Sequence, residues 1–391
     1  MNRMIVPATL AILLAMNSGS FAQDAMPPEA ASGADAAMSS AAPAETAAPA
    51  EMEDQSTSSG AGSEDSGTME RANEDMQAVL EKLQELGAKP VHTLSVEEAR
   101  SQPTPADAVT AVLEERGQST APEEVASTQD ISIPGPEGDI PARVYTPEGE
   151  GPFPVIVYFH GGGWVIANID TYDASARALA NEANAIVVSS HYRQGPENKF
   201  PAAHEDANAA YEYVVENAGE WNGNTDQLAL VGESAGGGLA VSVAIHARDA
   251  QLTMPDAIVS VYPIAGGETD TPSYQENANA MPLGKADMEW FFEHYLNSPE
   301  ERNDPRIDLY GEADLSGLPP ITIINAEIDP LLSDGEMLAE AMEAAGVEVT
   351  QQTFEGVTHE FFGMAPVVPE AEEAQNLAGE ALQEAWGQAA E

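Results

Sequence analysis

The rhythm of hydrophobic and polar positions changes about a third of the way along the chain. Between residues 69 and 86 apolar side chains recur at the spacing of a helix, and shorter helices are predicted at 95–100 and from Thr104 to about residue 115. From residue 131 on, short apolar runs alternate with helical stretches. Alternation of this kind predicts an α/β fold with a mainly parallel central sheet and helices on both faces.

The elements predicted after residue 131 cover most of the remaining chain. The predicted strands are 142–146, 155–159, 185–190, 228–231, 257–262, 321–326 and 347–354. The predicted helices are 172–184, 203–217, the run after Ser234, 334–345 and 371–389. The stretch 267–319 interrupts the alternation, and because it follows a strand end we expect it to form a lid-like insertion near the site.

The first 70 residues differ from the rest in composition. Residues 1–22 combine a basic start, an apolar run over 4–16 and small residues before a predicted cleavage after Ala22, which is the pattern of a secretory signal peptide. Residues 23–70 contain ten carboxylates, no aromatic residue and no Lys or Arg, which predicts a disordered acidic tether. We therefore expect an exported protein, periplasmic or secreted, with no stable membrane insertion after signal cleavage.

The charge balance disfavours several classes of partner. The chain has 66 acidic against 14 basic residues and a formal charge of −52. Without the signal peptide and the ten acids of the tether, 56 acidic and 13 basic residues are left, so the folded part is acidic as well. Nucleic acids and anionic membrane surfaces bind basic patches, which makes both poor partners. With no cysteine, the chain has no disulfide and no lipid-bearing Cys.

The stretch LALVGESAGGGLAVSVA, residues 228–244, sets one serine between a predicted strand and a predicted helix. Glycines stand on both sides of Ser234, and the residue at the apex of so sharp a turn needs small neighbours. A hydroxyl held clear of a sheet in this way is a candidate nucleophile. A Gly-rich connection without chemistry gives the same short pattern, so the choice depends on the rest of the chain.

Acyl transfer also requires a base and an acid that orients it. Among seven histidines only His359 follows the last predicted strand, where the base of this arrangement belongs. Asp329 comes just after strand 321–326 and precedes a proline; Asp334 is the competitor, but its position predicts the N-cap of the next helix. We therefore predict Ser234, Asp329 and His359 as the catalytic residues.

Donors for the developing oxyanion are predicted in IVYFHGGGWV, residues 156–165. Three glycines after a strand expose backbone N–H groups that could converge with the N–H of Ala235 on one oxygen, although HGGG alone is also typical of a turn. The bulky side chains Trp164, Trp290 and Phe291 are expected near the substrate pocket, where they would restrict acyl length. This chemistry requires no metal and no cofactor.

Several motifs together resemble the bacterial hormone-sensitive-lipase-like branch of the α/β-hydrolase esterases. They are HGGGW (160–164), HYRQGPENKFPAAHED (191–206), GESAGG (232–237), LPP followed by the DPL motif (318–331) and GVTHEFF (356–362). The resemblance runs from about residue 71 to the C-terminus. It implies an N-terminal helical cap over 71–130 and a catalytic α/β-hydrolase domain over 131–391. It also implies the triad Ser234, Asp329 and His359, with Gly162, Gly163 and Ala235 as oxyanion donors.

Four positions depart from the usual pattern of that family. Glu233 stands where Asp is commoner, Gly238 where Asn often follows, His191 where Asp often precedes Tyr-Arg, and Glu360 where Gly often follows the histidine. None of these departures removes a catalytic group. They leave the polarity and size of the pocket open.

The resemblance implies a serine carboxylesterase that acts through an acyl-enzyme on Ser234, and the bulky aromatic residues favour short to medium acyl chains. The same apparatus serves amidases, lactonases and acetylhydrolases, and a non-catalytic binding module on this fold is the alternative from another class. A metallohydrolase is poorly supported, because His359 has no second histidine four residues on. The expected partner is a small ester substrate, and the oligomeric state is not predicted.

Overall fold

The structure, a computed structural model, describes residues 66–388. The predicted signal peptide and the predicted tether up to residue 65 lie outside the described residues. The first helix covers Ser66–Arg71, so the last residues assigned to the tether are helical and the folded part begins earlier than expected. Within 66–388, no helix is both long enough and apolar enough to span a lipid bilayer.

Eight strands form one sheet in the order β1-β2-β4-β3-β5-β6-β7-β8. The strands are β1 Ser127–Gly135, β2 Gly138–Thr146, β3 Phe153–Phe159, β4 Ile186–Ser190, β5 Gly223–Glu233, β6 Ala257–Val261, β7 Ile321–Ile328 and β8 Val349–Thr358. Strand β2 pairs antiparallel with β1 and with β4, and all other neighbours are parallel. The carboxyl ends of the parallel strands therefore meet at one edge, where sites of such sheets lie.

Helices cover both faces of this sheet and extend beyond it. The α-helices are α1 Ser66–Arg71, α2 Glu74–Glu85, α3 Val96–Ser101, α4 Pro105–Glu115, α5 Asp173–Glu182, α6 Ala202–Asn217, α7 Ala235–Asp249, α8 Pro272–Glu276, α9 Lys285–Tyr295, α10 Leu332–Ala344 and α11 Pro369–Ala385. Short 3₁₀ turns cover Val91–Thr93, Ala218–Trp221, Pro299–Asn303 and Phe361–Met364. This architecture is the mainly parallel α/β fold that the alternating pattern predicts.

Strand β3 shows how the sheet separates two cores. All seven residues of FPVIVYF are buried, as expected for a strand covered on both faces. Successive side chains of a strand point to opposite faces. Accordingly Val155, Val157 and Phe159 belong to one apolar cluster, whereas Ile156 and Tyr158 belong to the other.

The sequence pattern missed strand β1. Its nine residues, STQDISIPG, are mostly exposed, and only Ile133 is fully buried, so the strand lacks an apolar run. It lies at the edge of the sheet and pairs only with β2, a position that tolerates polar side chains on both faces. Because β1 starts at Ser127, the predicted boundary between cap and catalytic domain at residue 130 falls inside a strand.

The N-terminal helices form a small packed unit. The single helix predicted over 69–86 is two helices, because Asn73 interrupts it and caps α2 by accepting a hydrogen bond from the N–H of Met76 at 2.9 Å. Thr104 caps α4 in a reciprocal arrangement with Asp107, as the sequence predicts. Helices α2 and α4 pack together, and Leu80 and Leu83 of α2 reach the cavity described below.

The predicted insertion over 267–319 contains α8, α9 and one 3₁₀ turn. Its helix α9 is packed into the molecule: Phe292 and Tyr295 are buried, and the ring of Tyr295 stacks on Trp164 at 4.8 Å. The insertion therefore shares a core with the sheet and also forms part of the cavity wall above the strand ends.

Candidate active site

Ser234 occupies a sharp turn between β5 and α7. Its φ and ψ are 57° and −118°, a strained backbone conformation for a residue with a side chain. The turn can close only because Gly232 and Gly236 lack side chains. A Cβ at Gly232 would collide with the carbonyl of Gly236, and a Cβ at Gly236 would collide with the carbonyl of Phe159. The small neighbours thus allow a turn that holds the hydroxyl at the carboxyl edge of the sheet.

His359 and Asp329 complete a hydrogen-bonded line with this serine. The Nε2 of His359 lies 3.0 Å from the Oγ of Ser234, and its Nδ1 lies 2.6 Å from the Oδ2 of Asp329. A carboxylate only accepts, so Nδ1 carries the proton and Nε2 is free to accept from the hydroxyl. The other oxygen of Asp329 accepts the N–H of Leu331 at 2.8 Å, which fixes the carboxylate. The structure brings together all three residues chosen from the sequence.

Asp334 has a different place from the one the sequence indicated. Leu331 is the N-cap of α10, and Asp334 lies in the first turn of that helix. Its carboxyl is fully buried and accepts the N–H groups of Ala265 and Gly266, in the loop after β6, at 3.0 and 3.1 Å. Burial raises the pKa of Asp334 well above its ordinary range. Its role in the structure is to hold that loop rather than to cap a helix or orient the histidine.

The surroundings of His359 have opposing effects on its pKa. Burial lowers the pKa, but the adjacent Asp329 carboxylate, with smaller contributions from Glu360 and Glu233, outweighs burial and leaves the pKa above its ordinary value. A base with a raised pKa accepts a proton from serine more readily. The imidazolium that forms would be stabilised by the same carboxylates.

The loop after β3, called the oxyanion loop below, presents the N–H groups of Gly162 and Gly163 as candidate oxyanion donors, and α7 presents the N–H group of Ala235. Gly162 and Gly163 have φ values of 94° and 57°, which favour glycine, and a Cβ at Gly163 would collide with the ring of Phe291. Ala235 is the first residue of α7, where backbone N–H groups lack helical partners. Within residues 66–388, the N–H groups of Gly162, Gly163 and Ala235 have no hydrogen-bond acceptor.

Buried side chains hold that loop in place. The carbonyl of Gly161 accepts from the Nδ1 of His160 at 2.8 Å and from the hydroxyl of Tyr192 at 3.0 Å. The carbonyl of Gly162 accepts the N–H groups of Val165 and Ile166 at 3.0 and 2.9 Å. With their carbonyls engaged in this way, the peptide planes of the loop are fixed before any substrate arrives.

A cavity of about 680 Å³ contains Ser234 and His359. Its walls come from the N-terminal cap, the insertion and the loops at the strand ends. Apolar contributions come from Leu80, Leu83, Ile264, Met288 and Phe291. Several polar residues of its lining, on the cap and on the β1–β2 turn, are exposed, so the cavity reaches solvent.

Of the three aromatic residues predicted to bind substrate, only Phe291 lines the cavity. The prediction for Trp164 is wrong because its backbone, with φ of 59°, turns the indole into the core, where it stacks on Tyr295. The prediction for Trp290 is wrong because it precedes Phe291 by one position on α9, about 100° around the helix, and packs against His294 instead.

Two glutamates near the triad were noticed in the sequence only as departures from a family pattern. Glu233 is buried and accepts hydrogen bonds from the hydroxyls of Tyr158 and Tyr262, both at 2.5 Å; burial raises its pKa to about 7 even though these bonds lower it. Glu360 lines the cavity and accepts a hydrogen bond from Tyr172, which also lines it. Burial raises the pKa of Glu360 above its ordinary value.

In the described part of the chain, no group of three or more His, Asp or Glu side chains is arranged to hold a metal ion. The hydrogen-bonded line and the three amide donors are sufficient for acyl transfer through a serine. In such a site the base activates the serine hydroxyl, the serine oxygen attacks a carbonyl carbon, and the amide donors stabilise the resulting oxyanion.

Comparisons with known proteins show which family this chain belongs to. The family model described as alpha/beta hydrolase fold matches residues 156–363. The chain is 41% identical over 253 residues to the carboxylesterase NlhH of Mycobacterium tuberculosis, covering 63% of this chain and 79% of that protein. It is 33% identical over 323 residues to the ethyl acetate hydrolase of Pseudomonas putida, covering 80% of this chain and 98% of that protein.

Solved structures show the same likeness in three dimensions. A hyperthermophilic esterase from the archaeon Pyrobaculum calidifontis superposes with a TM-score of 0.71 at 33% identity, covering 79% of this chain and 96% of that one. The thermostable carboxylesterase EstE1, cloned from a metagenomic library, superposes with a TM-score of 0.69 at 36% identity, covering 75% and 98%. Both superpositions cover at least three quarters of this chain.

Proposed function

The chain belongs to the α/β-hydrolase fold family, in its hormone-sensitive-lipase-like branch, and from this premise we propose that it is a serine carboxylesterase. One observation carries the proposal: Asp329, His359 and Ser234 are joined by hydrogen bonds of 2.6 and 3.0 Å inside a cavity that reaches solvent. Relatives named carboxylesterase, esterase and ethyl acetate hydrolase support it.

Acylation follows from the positions of these groups. His359 accepts the proton of Ser234 at Nε2 as Oγ attacks the ester carbonyl carbon, and the carbonyl oxygen becomes an oxyanion. The N–H groups of Gly162, Gly163 and Ala235 bind this oxyanion. His359 then gives its Nε2 proton to the alcohol oxygen, the ester C–O bond breaks and the alcohol leaves.

Deacylation repeats the same steps with water. His359 takes a proton from a water molecule, the resulting hydroxide attacks the acyl-enzyme carbonyl, and the proton returns to the Oγ of Ser234 as the acid departs. Asp329 stays ionised throughout and holds the imidazole in the tautomer with a free Nε2. The catalytic triad therefore returns to its starting state.

The test is hydrolysis of p-nitrophenyl butyrate by the parent protein and by Ser234→Ala. Ser242→Ala is a matched control, because Ser242 lies on the same helix α7 and does not line the cavity. We expect Ser234→Ala to lose turnover and labelling by a fluorophosphonate, and Ser242→Ala to keep both. Unchanged turnover in Ser234→Ala would reject the assignment.

A preference for short acyl chains is the second part of the proposal. It is supported by a relative named for ethyl acetate and by Phe291, which lines the cavity and packs against Gly163 in the loop after β3. Rates with p-nitrophenyl esters of two to sixteen carbons should peak at short chains. A peak at sixteen carbons would contradict this preference. The same panel, extended to an anilide and a lactone, separates ester from amide and lactone hydrolysis.

Export of the protein is also a proposal, supported by the signal-like pattern over 1–22. The expected mature chain begins at Gln23, and N-terminal sequencing of protein secreted by its host measures this directly. The formal charge of −52 makes nucleic acids and anionic membrane surfaces unsuitable partners, and a small ester is the expected ligand. A mature chain that still starts at Met1 would overturn the export proposal.

A further inference from the structure

The side chain of Glu360 lies beside the reacting atoms without belonging to the triad. Its Oε1 accepts a hydrogen bond from the hydroxyl of Tyr172 at 2.7 Å and lies 4.0 Å from the Nε2 of His359. Its side chain is 21% exposed and lines the cavity. In the described part of the chain its second oxygen, Oε2, has no hydrogen-bond partner. One acceptor oxygen of this carboxyl is therefore available to a bound molecule.

Tyr172 fixes where this carboxyl points. A Cβ at Gly161 would collide with the hydroxyl of Tyr172, so this hydroxyl packs directly against the oxyanion loop. Glu360 accepts from that hydroxyl on one side and faces the imidazole of His359 on the other. The carboxyl thus lies between the oxyanion loop and the base, next to the space for the scissile bond.

The chemistry of the ester reaction locates the alcohol portion of the substrate. For the alcohol to leave, its oxygen must receive the proton from the Nε2 of His359, which requires a separation of about 3 Å. Because Oε1 of Glu360 is 4.0 Å from the same Nε2, the alcohol portion passes close to this carboxyl. A positive charge within about 4–6 Å of a carboxylate interacts with it strongly.

The two arginines in the cavity lining are paired with groups other than Glu360. The guanidinium of Arg100 is bound by Glu197 and by the carbonyls of Val165 and Gly195. The guanidinium of Arg193 is bound by Asp206, Glu137 and Glu205.

Lys89 is the third basic residue of the lining, and it is exposed on the cap. The lining also contains six carboxylates: Glu137, Asp139, Glu197, Asp206, Asp287 and Glu360. Four of them are engaged with basic side chains: Glu137 and Asp206 with Arg193, Glu197 with Arg100, and Asp287 with His92. The wall that faces a substrate is therefore net acidic, with Glu360 the carboxylate beside the reacting atoms.

We propose that Glu360 makes this site select esters whose alcohol portion carries a positive charge two or three bonds from the ester oxygen. The proposal rests on the esterase function and assigns a substrate class to the same site. Esters with a negative charge at that position are discriminated against by the same carboxylate. Burial raises the pKa of Glu360, and a bound cation would favour its ionised form.

The experiment compares three butyrate esters of similar size at pH 8. Their alcohol portions are 2-(trimethylammonio)ethyl, which is cationic, 3,3-dimethylbutyl, which is neutral and has the same shape, and 2-carboxyethyl, which is anionic. The permanent charge of the first ester removes any titration of the substrate. The measured quantity is kcat/KM for each ester, and the readout is the cationic-to-neutral ratio.

Two variants make the same chemical change at different places. Glu360→Gln removes the carboxylate in the cavity, and Glu355→Gln removes an exposed carboxylate on β8 that does not line the cavity. We expect the parent and Glu355→Gln to prefer the cationic ester over the neutral one by about tenfold, which corresponds to one partly solvated charge–charge contact. In Glu360→Gln this ratio should fall close to one, and the anionic ester should gain relative to the neutral ester.

The outcomes separate this proposal from the esterase function on which it rests. A parent protein that does not hydrolyse the neutral ester contradicts the esterase function itself. A parent protein that hydrolyses the neutral ester with a cationic-to-neutral ratio of one or less overturns the role of Glu360, even if Glu360→Gln does not fold. An equal ratio in the parent and in Glu360→Gln also overturns it, because then the preference comes from the overall acidic charge.

Discussion

At the scale of single residues, the orientation of His359 depends on one of two buried carboxyls. Asp329 bonds to the Nδ1 of the ring and is itself fixed by a backbone N–H. Asp334 is equally buried but bonds to the loop after β6. The sequence favoured Asp329 because Asp334 was expected at a helix N-cap, whereas in the structure the hydrogen bonds of the two carboxyls separate them.

This difference predicts opposite results for two identical substitutions. Asp329→Asn keeps the shape but lets the amide donate to Nδ1, which stabilises the wrong tautomer, so kcat for p-nitrophenyl butyrate should fall by about 10⁴-fold. Asp334→Asn should keep kcat within a few-fold, because its carboxyl has a raised pKa and contacts no reacting group. A large loss of kcat in Asp334→Asn with normal activity in Asp329→Asn would reverse the assignment.

The raised pKa of His359 predicts the acidic side of the pH profile. Protonated imidazole cannot accept the proton of Ser234, so kcat/KM should fall as pH decreases, with its half-maximum above the ordinary histidine pKa of about 6.5. Glu360 contributes to the raised pKa. The half-maximum should therefore move to lower pH in Glu360→Gln and stay in place in Glu355→Gln. A half-maximum below pH 6 in the parent would contradict this prediction.

The buried carboxyl of Glu233 predicts a pH dependence of stability. Burial raises its pKa to about 7 from 4.5, so between these values the folded state keeps a proton that the unfolded chain releases. The contribution of Glu233 to the free energy of unfolding therefore decreases as pH rises through this window, by about 3 kcal/mol in total.

Glu233→Gln cannot ionise and lacks this dependence. Urea unfolding of the parent and the variant at pH 4.5 and at pH 7.5 measures the difference between them. We expect the free energy of unfolding of the variant to gain about 3 kcal/mol relative to the parent between the two pH values. A difference that stays constant with pH would show that Glu233 ionises normally in the folded protein.

At the scale of elements, the site depends on a contact between the oxyanion loop and α9. A Cβ at Gly163 would collide with the ring of Phe291, which belongs to the insertion. The loop and the helix thus fix each other, and the N–H of Gly163 is positioned by an element that is distant in sequence.

Gly163→Ala tests this contact. The new methyl group must displace Phe291 or move the loop, and φ of 57° adds strain, so we expect kcat to fall by about 100-fold, as for the loss of one oxyanion donor. Adding Phe291→Ala should recover part of this loss because it removes the collision. Phe291→Ala alone is the control for the lost wall of the cavity. No recovery in the double variant would mean that strain at residue 163, and not Phe291, causes the loss.

The same elements show what the sequence could predict. Strands such as β3 and β5 have continuous apolar runs, and the catalytic residues follow strand ends, so their meeting point could be inferred from the order of elements. Strand β1 was missed because an edge strand can be polar throughout.

The aromatic residues were harder to place than the strands. Trp164 and Trp290 looked like pocket residues because they are near the motifs, but a backbone φ of 59° and one step around a helix turn them into the core. Side-chain direction depends on such local backbone angles, which the pattern of residue types does not specify. The same applies to Glu360, whose own φ of 73° helps to direct it toward the cavity.

At the scale of the whole molecule, acidic residues far outnumber the basic residues that could pair with them. Single arginines are shared: Arg143 lies within 4 Å of Asp130, Asp170 and Asp173. Within residues 66–388 most of the remaining carboxylates have no basic partner, and the excess of acidic residues gives the molecule a negative field. Anionic substrates approach such a protein more slowly, and the effect weakens with added salt.

Arg100 of helix α3 donates hydrogen bonds to the carbonyls of Val165 and Gly195 and to Glu197. These bonds hold the cap in place over a cavity that is already open to solvent. Lipases with a mobile lid are most active on emulsified substrate, because the oil–water interface opens the lid. A cap that is held by these hydrogen bonds, over a cavity already open to solvent, needs no such opening. Hydrolysis of tributyrin should therefore follow the dissolved concentration and level off, without a jump, when the solution becomes an emulsion.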